Sequence, residues 1–217
     1  VAGVSPVLCG VTGVVGIVAG QTPQQSNVAE IEKVRDNLFM IKGGGGNTAA
    51  FITARRGVIL VDTKDPGWGP AIMDKVRSIT DQPVWFIINT HTHGDHSPGA
   101  AGLKERTGAA VLAFADRDGL VCDRHLVDGD TIEGTEFTLR AIHTPGHASN
   151  HLCFLLERDR LLFSGDHVMD GSTVVITPLD GDMGQYLASL ERLQEWRPAL
   201  KAIAPAHVGS AVRGALF

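Results

Sequence analysis

Apolar positions along the chain fall into short runs broken by turn residues, and their spacing alternates between strand and helix periods. Residues 37–42 and 48–53 predict two strands joined by Gly43-Gly44-Gly45-Gly46-Asn47. Arg55-Arg56-Gly57 then turns the chain into Val58-Ile59-Leu60-Val61, an unbroken aliphatic run that suits a strand buried on both faces. Gly69-Pro70 opens a helix, since proline is tolerated in the first turn, and Ile72, Met73, Val76 and Ile79 share its inner face. A buried strand over 84–88 runs into Asn89-Thr90-His91; a helix over 99–107 and a strand over 111–114 follow. The second half predicts strands at 137–142, 151–156 and 160–163, with Arg158-Asp159 as a turn. Residues 174–176 read as a short strand or extended loop closed by Pro178. Asp182 can cap a helix with a stripe of Met183, Leu187, Leu190 and Leu193, flanked by Tyr186 and Trp196. A last strand over 200–204 ends at Pro205-Ala206-His207. Two half-sets of strands and helices with no repeat of fixed period predict an α/β protein, a four-layer αββα sandwich.

The domain is placed at 37–217, after a polar linker over 21–36 and an uncharged stretch over 1–20. That stretch reads as a secretory leader with a small-residue site at Val18-Ala19-Gly20, which makes a periplasmic or secreted location the expectation and the cytoplasm the alternative. About 20 apolar residues can span a bilayer, but Pro6 and several glycines make this one a poor helix, so no stable anchor is expected unless the leader is retained. The net charge of −5 and the lack of a Lys/Arg cluster disfavour a nucleic-acid partner and leave a small-molecule substrate as the expected one. Cys9, Cys122 and Cys153 show no CxxC spacing and read as free, buried cysteines.

The chemistry concentrates at His91-Thr92-His93-Gly94-Asp95-His96, four ligand-type side chains within six residues at the end of a buried strand. Neutral imidazole and carboxylate are what divalent zinc or iron bind in hydrolytic sites. The segment is too tight to fold one tetrahedral site from all four side chains, which points to two metals a few ångströms apart. Three more ligand-type residues follow predicted strands: His147 in Thr144-Pro145-Gly146-His147, Asp166 in Ser164-Gly165-Asp166-His167, and His207 in Ala204-Pro205-Ala206-His207. Gly94 and Gly165 suit tight loops that bring backbone close to a metal. His151 either lines the pocket or has a core or surface role; His167 points away, and His125 and His143 are ordinary turn and strand residues.

With its HxHxDH, TPGH, SGD and PAH segments over roughly residues 37–208, the chain resembles the metallo-β-lactamase superfamily. The resemblance implies a first metal on His91, His93 and His147, a second on Asp95, His96 and His207, and Asp166 bridging them. Asp62 then matches a residue that supports a ligand histidine. Implied cofactors are two zinc ions, with iron or manganese as alternatives. Aspartate rather than cysteine at 166 is similar to the hydroxyacylglutathione hydrolase, lactonase and nuclease branches, and Ser164 to Asp182 resembles the lactamase-like endoribonucleases. The implied activity is hydrolysis of a small or medium ester, thioester, lactone or β-lactam by hydroxide formed at neutral pH, with Asp95 orienting the nucleophile. Alternatives are a ribonuclease or phosphodiesterase, and an iron persulfide dioxygenase using His91, His147 and Asp166. Family resemblance also suggests a mobile tip at Gly43–Gly46, with Trp68, Met169 and Met183 as candidate pocket walls.

Overall fold

A computed structural model describes residues 28–207 and the backbone of 212–213. The expected leader over 1–20, with Cys9 and the export reading, lies outside the described residues. Among those described, no helix is long and apolar enough to cross a membrane.

A seven-stranded sheet runs in order β1(Glu30–Arg35), β2(Leu38–Lys42), β3(Thr48–Ile52), β4(Val58–Val61), β5(Val84–Ile88), β6(Ala110–Ala113), β7(Arg124–His125). The second sheet holds β8(Thr131–Glu133), β9(Thr138–His143), β10(Leu152–Leu156), β11(Leu161–Gly165), β12(Ala202–Pro205) and β13(Val212–Arg213), from one edge to the other. Helices α1(Gly69–Ile79) and α2(Ala100–Thr107) lie in the first half of the chain, and α3(Met183–Gln194) in the second.

Alternation along the buried strands builds the layers. In β4, Ile59 and Val61 enter the core between the sheets, while Val58 and Leu60 join Ile72, Met73 and Val76 of α1. Strand β10 repeats this, with Leu152, Phe154 and Leu156 between the sheets and Cys153 and Leu155 in the cluster that includes Leu193 of α3. The order is helix, sheet, sheet, helix, as the four-layer expectation requires.

Strand direction places the site. β4 and β5 are parallel, as are β11 and β12, and α1 and α3 make the long crossovers that parallel neighbours need. β9 runs opposite to β10, which runs opposite to β11, so β9 points the same way as β11. The loops that follow β4, β5, β9, β11 and β12 carry Asp62, His91–His96, His147, Asp166 and His207.

Several expectations change. Residues 30–35, assigned to the linker, form β1, which pairs antiparallel with β2. Its sequence is mostly charged because it is an edge strand with little burial, and that hid it from a search for apolar runs. Short strands β7, β8 and β13 carry too few residues for a periodic signal. Of the two readings of residues 174–176, the extended loop is the one found. Asp182 does cap α3, its carboxylate accepting from Gln185 N–H at 2.8 Å. The expected stripe is only partly inward, however: Leu193 is buried, whereas Met183 and Leu187 are 57% and 51% exposed. Cys122 and Cys153 are free, Cys153 buried and Cys122 half-buried.

Candidate metal centre

Strand β4 delivers Asp62, fully buried with a φ of +63°. Its carboxylate accepts Thr90 N–H at 2.8 Å, the Thr90 hydroxyl, and Nδ1 of His96 at 3.0 Å. The His96 carbonyl is held in turn by Asn89 Nδ2 and Thr63 Oγ1, both at 2.8 Å. With its proton committed to Asp62, the Thr90 hydroxyl offers a lone pair to His91 Nδ1 at 3.1 Å. His147 is fixed by donation from Nδ1 to the Val175 carbonyl at 2.6 Å. Each partner leaves the far ring nitrogen as the one with a lone pair, the usual way an outer contact sets the tautomer of a metal-ligating histidine.

Those nitrogens converge. Donor atoms of His91, His93 and His147 lie within 4.8 Å of one another, as do those of Asp95, His96 and His207. Asp166 stands between the sets: Oδ1 is 3.4 Å from His96 Nε2 and 3.3 Å from His207 Nε2, while Oδ2 is 3.6 Å from His147 Nε2. Asp95 reaches His207 Nε2 with Oδ2 at 3.2 Å and His96 Nε2 with Oδ1 at 3.5 Å. All seven side chains expected to ligate thus meet at one place, with Asp62 behind His96.

The donors fit a pair of cations. Buried His91 Nε2 has no hydrogen-bond partner, which is costly unless something else satisfies it. Ring nitrogens face each other at 2.9 Å between His147 and His93 and at 3.2 Å between His96 and His207. Neutral histidines so arranged turn lone pairs toward a common point. Burial holds the His91 pKa well below the ordinary range, with His96 adding to the effect. Burial also opposes charge on His96, but Asp62 and Asp166 outweigh it and raise that pKa to about 10. Asp166 and Asp95 raise His207 to about 9. Against the pull of burial, His207 and His96 hold the Asp166 carboxyl far below the usual range. Protons and cations therefore compete for the same nitrogens.

The sequence pattern of the Metallo-beta-lactamase superfamily matches residues 43–207, well over half of the chain and all seven donors. The chain belongs to the metallo-β-lactamase superfamily. It is similar to the lactamase-like protein aptB of Emericella nidulans, 33% identical over 75% of this chain and 54% of that one, and to an atrochrysone carboxyl ACP thioesterase of Aspergillus chevalieri, 31% identical over 67% and 46%. The chain spans about half the length of the curated relatives it matches. In fold it is similar to a solved metallo-beta-lactamase from Pontibacter korlensis, with a TM-score of 0.74, 20% identity, and coverage of 85% of this chain and 93% of that one.

Within this superfamily member, sequence reasoning left the part played by His151 open. Its ring is fully buried, with its centroid 5.1 Å from that of His91. Nε2 accepts Asp166 N–H at 3.2 Å, and Nδ1 donates to Thr144 Oγ1 at 2.8 Å. The Thr144 hydroxyl donates to Cys153 Sγ at 3.3 Å. His151 is thus the seat of the Asp166 loop; the only sequence signal for it is the four-residue spacing from His147. Gly165 has no room for a side chain, because a Cβ there would stand 2.5 Å from His151 Nε2. A Cβ at Gly94 would meet no protein atom within 4 Å.

The glycine loop, expected as a mobile tip, is hydrogen-bonded at its Gly46–Asn47 end to the ligand-bearing segments. Gly46 N–H donates to the Asp95 carbonyl at 3.2 Å, and Asn47 N–H to the Ala206 carbonyl at 2.5 Å. Buried Lys64 donates from Nζ to the Gly46 carbonyl at 2.7 Å. A Cβ at Gly45 would stand 2.5 Å from Asp95 Cβ, and one at Gly44 would enter the Trp68 indole. The loop is glycine because it is threaded between ligand-bearing segments and ties Asp95 to His207. Trp68 supports that loop rather than simply walling a pocket, and Met183 is largely exposed.

Proposed function

We propose that the chain is a dinuclear zinc hydrolase that cleaves an activated carbonyl, with a thioester or ester as substrate. The observation carrying this reading is the position of Asp166, with one carboxylate oxygen toward His96 and His207 and the other toward His147. A single iron on His91, His147 and Asp166 would leave the convergence of Asp95, His96 and His207 without a purpose. The imidazole and carboxylate donors, with no thiolate among them, suit zinc and also admit iron or manganese.

Two divalent ions held there supply Lewis acidity toward a substrate oxygen and make hydroxide available near neutral pH. The protein's own groups do the rest. Asp62, Thr90 and the Val175 carbonyl fix the ligand tautomers. Asp166 sets the spacing between the two halves. Asp95 is about one-third exposed, so it can orient an attacking water and receive its proton. The thioester preference is supported by the thioesterase among the relatives.

The reading is tested by offering the zinc-loaded protein an acyl thioester, an aryl ester, a lactone, nitrocefin and a phosphodiester. Expected is turnover of the thioester or ester that a chelator abolishes and zinc restores. Cleavage of the phosphodiester alone, or no hydrolysis at full metal occupancy, overturns it.

A further inference from the structure

The loop joining β6 to β7 carries a second donor set that shares no residue with the seven-donor centre. Asp118 in this loop accepts from Thr92 Oγ1 at 2.6 Å, and Thr92 sits between His91 and His93. Two residues earlier, Asp116 Oδ1 accepts Cys122 N–H at 2.8 Å and lies 3.0 Å from His125 Nε2. A carboxylate oxygen of Asp116, the Sγ of Cys122 and a ring nitrogen of His125 all lie within 4.8 Å of one another. In the absence of a cation the turn is held by hydrogen bonds: Cys122 Sγ donates to the Ala115 carbonyl at 3.7 Å and the thiol also approaches Asp116, so a metal entering here replaces only weak contacts of the sulfur.

Thiolate, imidazole and carboxylate are the three protein donor types that zinc takes. We propose that Asp116, Cys122 and His125 form a further divalent-metal site, taking zinc or a softer ion such as cadmium, that staples the loop bracing Thr92. The side chains of Asp116 and His125 are 50% and 55% exposed, which leaves room for water as the remaining ligand and makes the ion exchangeable. Burial, reinforced by Asp116, pushes the Cys122 thiol up to about 12, so without a cation the sulfur stays protonated and inert at neutral pH. On binding, the S–H bond breaks, its proton goes to solvent and a sulfur–metal bond forms, with no change of oxidation state.

Cobalt(II) is the probe, because a thiolate ligand gives it a near-ultraviolet charge-transfer band that nitrogen and oxygen ligands do not. The proposed dinuclear centre has no sulfur donor, and Cys153 is buried against Thr144 and the Ser164 carbonyl. Expected is a band in the unmodified protein that is lost in Cys122→Ser and weakened in His125→Asn. Zinc content should be one equivalent lower in Cys122→Ser, with thioester turnover and the chelator-treated melting temperature kept. Asp116→Asn serves as a second variant, so that misfolding of one cannot decide the matter. The band should survive Asp166→Ala, which separates this site from the dinuclear reading. Absence of the band, its survival in Cys122→Ser, or equal zinc content in both proteins overturns the proposal.

Discussion

Asp62 never reaches the point where the donors converge, yet it fixes the direction of His96 and, through Thr90, that of His91. Removing such an outer contact typically costs about 10- to 100-fold in metal affinity. Asp62→Ala is therefore expected to weaken zinc binding by that order in a chelator competition, while Asp166→Ala loses metal and turnover together. Two equivalents still bound in Asp166→Ala would remove it from the bridging role. Lys64 gives a pH signature. Burial lowers its pKa from the usual 10.5 to about 7, against the pull of Asp62 and Asp65. Between those pH values the unfolded chain keeps a proton that the folded chain has shed, so this group makes stability rise with pH across the window. Lys64→Met is expected to flatten that rise in denaturant titrations at pH 7 and pH 9; an unchanged slope contradicts it. The seven donors were legible in the sequence because each stands in a short motif after a strand. His151 and Lys64 were not, since what they do depends on long-range hydrogen bonds to Asp166 and Gly46 that no local pattern records.

At the scale of elements, α3 and the glycine loop hold the ligand loops from opposite sides. The Asp182 N–H donates to the Gly146 carbonyl at 2.8 Å, and Ser189 Oγ donates to the Pro145 carbonyl at the same distance, so the start of α3 clamps the segment leading to His147. Asp182→Ala loses the cap and is expected to cost roughly 1 kcal/mol, read as a lower urea midpoint with unchanged slope. Gly45→Val drives a side chain into Asp95 and into a backbone angle of +81°. It is expected to lower zinc affinity and turnover while leaving the sheets intact by circular dichroism; wild-type zinc binding would show that the loop does not position Asp95. Helices α1 and α3 and the buried strands were readable because periodicity and capping agree at those places. The inward face of α3 was misjudged because the helix meets its sheet along Tyr186, Ser189, Leu193 and Trp196, and only packing decides which of two adjacent stripes turns inward.

Across the whole molecule, two sheets share one interior core, and their parallel pairs open toward a common edge. Phe154 spans that core without exposure, so Phe154→Ala is expected to cost about 3–5 kcal/mol and to lower metal retention and melting temperature together. The layered architecture was legible from the two half-sets of strands and helices. The charged edge strand β1 was not, because an edge strand has no paired neighbour on one side and leaves most of its side chains in solvent. The two halves of the sandwich bring the seven donors together around Asp166, the place proposed above for two ions. Anomalous diffraction from zinc-loaded crystals tests that proposal directly. Expected are two zinc peaks flanking the Asp166 carboxylate, one about 2.0–2.2 Å from donors of His91, His93 and His147 and the other equally close to Asp95, His96 and His207. A single peak there, or none at full zinc loading, contradicts it.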